Sequence, residues 1–349
     1  MSKPAMAQAP SARPPLDPSS IAQAVEVLLG RPATPAEITA LAGHRSLATL
    51  RLAVMRGAAF RGALPRDAAP RPGAPFALPV ALLRPPEDPA LPWRFAEPDL
   101  RDPVCQLATA GQMESPDYLR WCGVLRDPPG WHVAQWTRIW LLAAIEKAGL
   151  YKPGLRALGL DLAEGHLACV LASQGQQVVV TPRAGQTLEA LLQPDLIAAD
   201  AFDARVIPFS PLTHPGFDLV WSQGSVERCG SRAAALELIR ASLDWLRPGG
   251  VALHVVRLDL SSDEAAPEGE SLVALRRQDL LALTTRLIAE GHEVWPLNLH
   301  PGTHPLDEEV DPPLAGPTHL KAEVEGHVLG SFGLVLRRAG SPDREAGLP

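Results

Sequence analysis

The sequence predicts an α/β domain, a mostly parallel sheet with helices on both faces, preceded by a small all-helical module. Three observations carry this. From Lys152 onward, short apolar runs alternate with stretches of helical period, the pattern of a sheet whose crossovers are helices. SRAAALELIRASLDWLRPGG is the clearest amphipathic helix in the chain. Before residue 63 the organised stretches have helical patterning. With 349 residues, 46% of them hydrophobic, the chain can bury a full core, and its length suggests two domains.

Residues 1–18 are Ala, Pro and Ser with few large apolar groups, so a disordered tail is expected. The helical module spans 19–63. Its first helix, IAQAVEVLLG, takes Ser19 or Ser20 as cap, puts Ile21, Val25 and Leu28 on one face and stops at Gly30. The second, ATPAEITALAGH, has Thr34 as N-cap and Pro35 at its first position. SLATLRLAVMRGAAFRG gives a third. Residues 64–104 are proline-rich and read as an extended linker, because proline lacks an N–H and disfavours helix before it. Residues 105–150 read as a helical lead-in that packs on the next domain. Trp136, Ile139, Trp140 and Ala143 to Ile145 make a wide apolar surface, closed by Gly149. Tyr118, Trp121, Trp131 and Trp136 either line a pocket or pack this layer, and their helical spacing favours packing.

The α/β domain spans 151–340, with a tail over 341–349. Its strands are LRALGLDL, QQVVVTP, ARVIPF, FDLVWS, VALHVVRLDL, EVWPLNL and HVLGSFGLVLRRA. Helices fall on EGHLACVLASQG, TLEALLQPDLIAA, the long run quoted above and RRQDLLALTTRLIAEGH. In the long run Ser231 is the cap, Leu236, Ile239, Leu243 and Leu246 share a face, and Pro248-Gly249-Gly250 is the stop.

Composition excludes several classes. A formal charge of −7 and a pI of about 5.8 offer no broad basic surface for nucleic acid or an anionic membrane. No apolar run approaches the ~18 residues of a membrane span. MSKPAMAQAPSARPP lacks the apolar core of a signal peptide, so a soluble, cytoplasmic protein is expected. Cys105, Cys122, Cys169 and Cys229 form no CxxC pair and read as reduced thiols. LHPGTHPLDEEVD fits no metal spacing, and Pro301 and Pro305 deny it a helical face, so a solvated loop without metal is expected.

FDLVWS, and later RPGG leading into an apolar strand, resemble the fourth and fifth strands of class I S-adenosylmethionine-dependent methyltransferases. A narrower bacterial group of that family carries SxxxEHLGS, HTTEFNLSS, RRRDI, VDxPPY…HL and TSFGL. The stretches here are SVERCGS, HVVRLDLSS, RRQDL, VDPPLAGPTHL and GSFGL. The likeness covers about residues 101–338, including the lead-in QLATAGQMESPDYLRWCG. It implies a Rossmann-like class I methyltransferase sheet, S-adenosylmethionine as cofactor, and methyl transfer to an acceptor oxygen or nitrogen. LLGR and the AAFRG ending of the helical module resemble modules that precede some bacterial sugar-related enzymes. That points to a small molecule, a sugar or glycan component, as acceptor.

The implied site follows from the same stretches. The family's glycine loop corresponds to GLDLAEG, so Gly159, Asp161, Ala163 and Gly165 are the implied cofactor positions. Asp161 and Ala163 stand where glycines are usual. The next strand ends Thr181-Pro182-Arg183, without the acid that receives the ribose hydroxyls, which leaves Thr181 for that contact. Glu227 lies just past the end of FDLVWS, where open α/β sheets place ligands, and is a candidate general base or substrate anchor. Its alternative is an acid complementing the dipole of the next helix. His254 is a second candidate base, with a core histidine as alternative. Ser225, Asp311 and His319 are the implied substrate contacts. EHLGS reads ERCGS and HTTEF reads HVVRL here, losing a histidine, two hydroxyls and an acid.

Two readings follow. One is an S-adenosylmethionine-dependent methyltransferase, in which Glu227 or His254 assists deprotonation of a positioned acceptor. The other is a catalytically inactive methyltransferase-fold protein that binds or scaffolds, with any protein partner met through the N-terminal helices. A nicotinamide enzyme would need GxGxxG and a ribose acid, and the sequence has neither.

Overall fold

The computed structural model describes residues 15–29, 31–44, 50, 54, 76–187, 191, 193, 196, 216–269, 272–310 and 320–340. The expected strand ARVIPF, most of TLEALLQPDLIAA, most of the third N-terminal helix, the linker up to residue 75 and the tail 341–349 lie outside the described residues.

The chain divides into two compact units, Met1–Pro72 and Gly73–Pro349. In the first, α1 (Pro18–Leu29) starts after Asp17, whose carboxylate accepts the Ser20 amide at 2.9 Å and the Ser20 hydroxyl at 2.7 Å. These bonds hold the Asp17 carboxyl below its usual range. Asp17 is therefore the cap, in place of the expected Ser19 or Ser20. α2 (Pro35–Leu41) begins as expected. The Glu37 amide donates to Thr34 Oγ1 at 3.3 Å and the Thr34 amide to Glu37 Oε2 at 2.8 Å, a capping box. Ile21, Val25, Leu50 and Val54 pack as a separate small core.

The second unit opens with α3 (Val80–Leu83), then β1 (Cys105–Leu107), α4 (Ala110–Met113), α5 (Pro116–Leu125) and α6 (Val133–Lys147). β2 (Arg156–Leu162), α7 (His166–Ser173), β3 (Gln177–Pro182) and β4 (Phe217–Gln223) follow. Next come α8 (Arg232–Ser242), β5 (Leu246–Asp259), β6 (Ala274–Leu275) and α9 (Arg277–Ala289). β7 (Glu293–Val294), β8 (Leu297–Asn298), β9 (Lys321–Val324) and β10 (His327–Arg337) complete it. The sheet order is β3-β2-β4-β5-β10-β1-β8. β3, β2, β4 and β5 run parallel, whereas β10 is antiparallel to both β5 and β1. This is a Rossmann-like mixed sheet flanked by helices. No described helix is long and apolar enough to cross a membrane.

Further expectations need correction. The described part of the expected linker is not a free strap, because Leu78, Leu82, Leu91 and Leu100 are buried and Val80–Leu83 is helical. Residues 105–150 are not a purely helical lead-in, because β1 enters the sheet between β10 and β8. A three-residue strand is too short to display a period. The helix expected to run to Pro248 ends at Ser242, a 3-10 turn takes Leu243–Trp245, and Arg247 to Gly250 lie in β5. Ser242 Oγ donates to the Ile239 carbonyl at 2.6 Å at this helix end. EVWPLNL splits into β7 and β8 around Pro296, which has no N–H for a ladder.

α6 seats on the sheet through a tryptophan. A Cβ at Gly333 of β10 would stand 2.3 Å from the Trp140 indole, so only glycine lets the ring lie there. Trp136 stacks on Trp140 with centroids 5.9 Å apart, and Tyr118 and Trp121 are fully buried. These aromatics are packing, as their spacing suggested.

Candidate functional site

β2 pairs with β3 on one side and β4 on the other, so the connections leaving β2 and β3 run in opposite senses across the sheet. An open sheet leaves a crevice beyond its strand ends at such a switch point. A cleft of about 310 Å³ opens there. Ala163 and Glu164 follow β2, Arg183 follows β3, and Gln223 and Gly224 end β4; Glu227 and Arg228 come next. Val133, Ala134 and Thr137 of α6, Val255 and Arg257 of β5 and Ser331 of β10 close the remaining wall.

The glycine loop does not face this cleft as an open cradle. At Gly159, a Cβ would stand 2.5 Å from the Trp221 ring and 2.8 Å from Leu162 Cδ1. The missing side chain makes room for the protein's own indole. At Gly165, the cap of α7, a Cβ would stand 1.7 Å from the Leu191 carbonyl oxygen. Here the space is taken by backbone. Asp161 is held at φ +49°, a left-handed conformation that aspartate tolerates better than most residues. Its amide donates to Thr181 Oγ1 at 2.7 Å, and its carboxylate takes Arg228 Nε at 3.1 Å and also Nη2. Arg228 in turn lines the cleft.

Thr181 was expected to meet ribose. It is buried, and its hydroxyl accepts from Asp161 and lies 3.4 Å from the Gly159 carbonyl oxygen as a donor. Its proton and one of its two lone pairs are used inside the protein, and the residue is buried. Ser225, expected at substrate, is also buried, and donates to the Leu160 carbonyl at 2.7 Å. It pins the end of β4 to β2. Asp311 and His319 lie outside the described residues.

Glu227 does stand in the cleft. Arg257 Nε lies 3.2 Å from its Oε2, and Arg257 Nη1 donates to Ser331 Oγ at 3.0 Å. His254 does not reach the cleft. It is fully buried in β5, with Nδ1 2.8 Å from Ser222 Oγ and Nε2 2.9 Å from Ser242 Oγ. Ser242 gives its proton to Ile239, so Nε2 must be the ring donor and Nδ1 the acceptor from Ser222. Burial pushes the imidazole down to about 3. The expectation of His254 as a base is corrected: the core alternative holds, because the ring is desolvated and both its nitrogens are used.

The ion-pair framework around the cleft has no pattern in the sequence. Arg138 of α6, itself buried, donates through Nη1 to both Glu164 oxygens at 2.8 Å and through Nη2 to Asp127 at 2.5 Å. Gln223 Nε2 donates to Glu164 Oε1 at 3.1 Å. The LHPGTHPLDEEVD stretch also differs from the solvated loop expected. Pro305–Glu308 is a 3-10 turn, and buried Asp307 accepts the Ala110 amide at 2.7 Å. Among the described residues, no group of three His, Cys, Asp or Glu could hold a metal.

The described crevice does not fit S-adenosylmethionine in the manner the resemblance implies. Both loop glycines admit protein atoms, the loop aspartate is tied to Arg228, Thr181 is buried and bonded to the loop, and an arginine follows the strand where the resemblance implies an acid.

No family model matches the chain, and no curated protein matches it. Among solved structures it is similar to a proposed sarcosine dimethylglycine methyltransferase from Galdieria sulphuraria, at 14% identity over 64% of this chain and 99% of that one, with a TM-score of 0.40. It is also similar to magnesium protoporphyrin IX methyltransferase from Synechocystis PCC 6803, solved with bound S-adenosylmethionine. There the identity is 14%, the coverage 66% and 94%, and the TM-score 0.39. At such identities and scores the likeness carries no conclusion about activity.

Proposed function

We propose that this chain is a methyltransferase-fold protein that no longer takes the methyl donor and serves as a binding module. One observation carries this reading: Arg228 closes on Asp161 in the glycine loop. A donor lying against that loop would have to displace a charged, hydrogen-bonded pair and recover its cost. The packing of Gly159 against Trp221 and of Gly165 against Leu191 supports the same reading. The competing reading, a methyltransferase acting on a sugar or glycan component, needs a base in the cleft. Glu227 is ion-paired with Arg257, and His254 is sealed in the core.

Equilibrium dialysis against radiolabelled S-adenosylmethionine tests the proposal. No retention of label above a folded control protein is expected. Saturable retention at micromolar donor would restore the enzyme reading.

A further inference from the structure

We infer that the cleft binds a small hydroxylated anion, a carboxylate or a phosphate ester, through Arg183. This rests on the binding-module reading and names its ligand class.

Most charges facing the cleft are already matched. Glu164 is met by Arg138, Glu227 by Arg257 and Arg228 by Asp161. Arg183 is different. Its Nε is buried and has no hydrogen-bond partner, and no ion pair reaches its guanidinium among the described residues. A buried, unpaired donor on a charged group is costly unless something outside the chain satisfies it. The guanidinium is also close to the cleft's other polar groups. Arg183 Nη2, Arg228 Nη1 and Glu227 Oε1 all lie within 3.6 Å of the point a Gly224 Cβ would occupy. Gly224 has φ +78° and no side chain, which keeps this junction open.

A second orphan specifies the ligand further. Because Gln223 gives its amide Nε2 to Glu164, its Oε1 must face elsewhere, and that oxygen is buried without a donor. Arg183 and Gln223, which carry these unmatched groups, both line one cleft, and Arg183 reaches its polar groups through Nη2. A ligand with an anionic group and a hydroxyl satisfies both. Guanidinium recognises carboxylate and phosphate by the same paired hydrogen bonds. Val133, Ala134, Ala163 and Val255 supply an apolar flank. The volume, about 310 Å³, suits a molecule at the small end of metabolite ligands.

The test is a thermal-shift and calorimetric titration of the full chain with glycerol 3-phosphate, L-malate, glycerol and S-adenosylhomocysteine at matched ionic strength. At least one of the two anions is expected to saturate and raise Tm, while glycerol does neither. The two anions distinguish phosphate from carboxylate. Arg183→Gln should weaken that anion about tenfold or more, and Arg183→Lys should weaken it less, because lysine keeps the charge but loses the fork. Arg183 is outside the core, so both variants should melt near the parent. The inference is overturned if neither anion saturates below about 10 mM, or if Arg183→Gln binds as the parent does. Saturation by S-adenosylhomocysteine would instead overturn the binding-module reading, so the two failures are distinguishable.

Discussion

Arg228 donates through Nε to the Asp161 carboxylate at 3.1 Å, joining the turn after β4 to the loop after β2. Both residues are departures from the family pattern that the sequence resembles. The aspartate stands for a glycine and the arginine for a histidine, and the second charge matches the first. Arg257 and Glu227 repeat this, since Arg257 stands for an acid and pairs with Glu227. Two pairs of positions that differ from the resembled pattern are thus opposite in charge and in contact.

The Asp161–Arg228 pair is partly exposed, so its contribution is modest. Arg228→Ala should destabilise by about 1 kcal/mol in urea unfolding. Asp161→Gly loses the same pair but relieves the left-handed backbone strain, which is also about 1 kcal/mol, so its stability should stay near the parent's. A double-mutant cycle that found no coupling between the two positions would remove the pair from the account of the loop.

Glycine substitutions separate space from conformation. Gly165→Ala should cost about 2–3 kcal/mol or more, because its Cβ would collide with the Leu191 carbonyl at 1.7 Å. Gly123→Ala, within α5 and with nothing within 4 Å, should stabilise by about 0.5–1 kcal/mol. Equal melting temperatures for the two variants would contradict the packing described at Gly165.

Much of the fold was legible because it rests on long periodic segments. FDLVWS, QQVVVTP and RRQDLLALTTRLIAEGH became β4, β3 and α9. β1 is hidden because three residues show no period, and the apolar spacing carries a helix through Leu243 and Leu246 although it ends at Ser242. At the site, the position of Glu227 was readable from the strand end before it. The fates of Gly159 and Gly165 were not, because Trp221 and Leu191 meet them only through tertiary packing. The pairing of Asp161 with Arg228 was signalled only as two opposite charges at two departures.

His254 should leave a signature in acid. Its folded pKa, about 3, lies below its ordinary value of 6.5, so the unfolded chain binds the proton first. Its contribution to stability is therefore complete above 6.5 and is lost as pH falls toward 3. The loss approaches 1.4 kcal/mol per pH unit within that window, on the order of one proton taken up on unfolding. His254→Asn should flatten this part of the profile. An unchanged slope between parent and variant would mean the imidazole is not buried neutral.

Thiol reactivity should be confined to one position. Burial pushes Cys105 up to about 12 and Cys122 to about 11, and raises Cys169 and Cys229 as well. Of the four, Cys229 alone is not fully enclosed. Under native conditions at neutral pH a disulfide reagent should modify Cys229 slowly and leave the others until unfolding. Mass spectrometry that found early labelling of Cys105 or Cys169 would contradict the burial described.

The most direct measurement is calorimetric titration with S-adenosylhomocysteine of the parent protein beside Asp161→Gly. Neither should give saturable heat, because Gly159 and Gly165 remain packed against Trp221 and Leu191 after the aspartate is removed. Micromolar binding by the parent would contradict the loss of the donor outright. Binding by Asp161→Gly alone would show that the Asp161–Arg228 pair is the whole barrier and that the packed glycines are not.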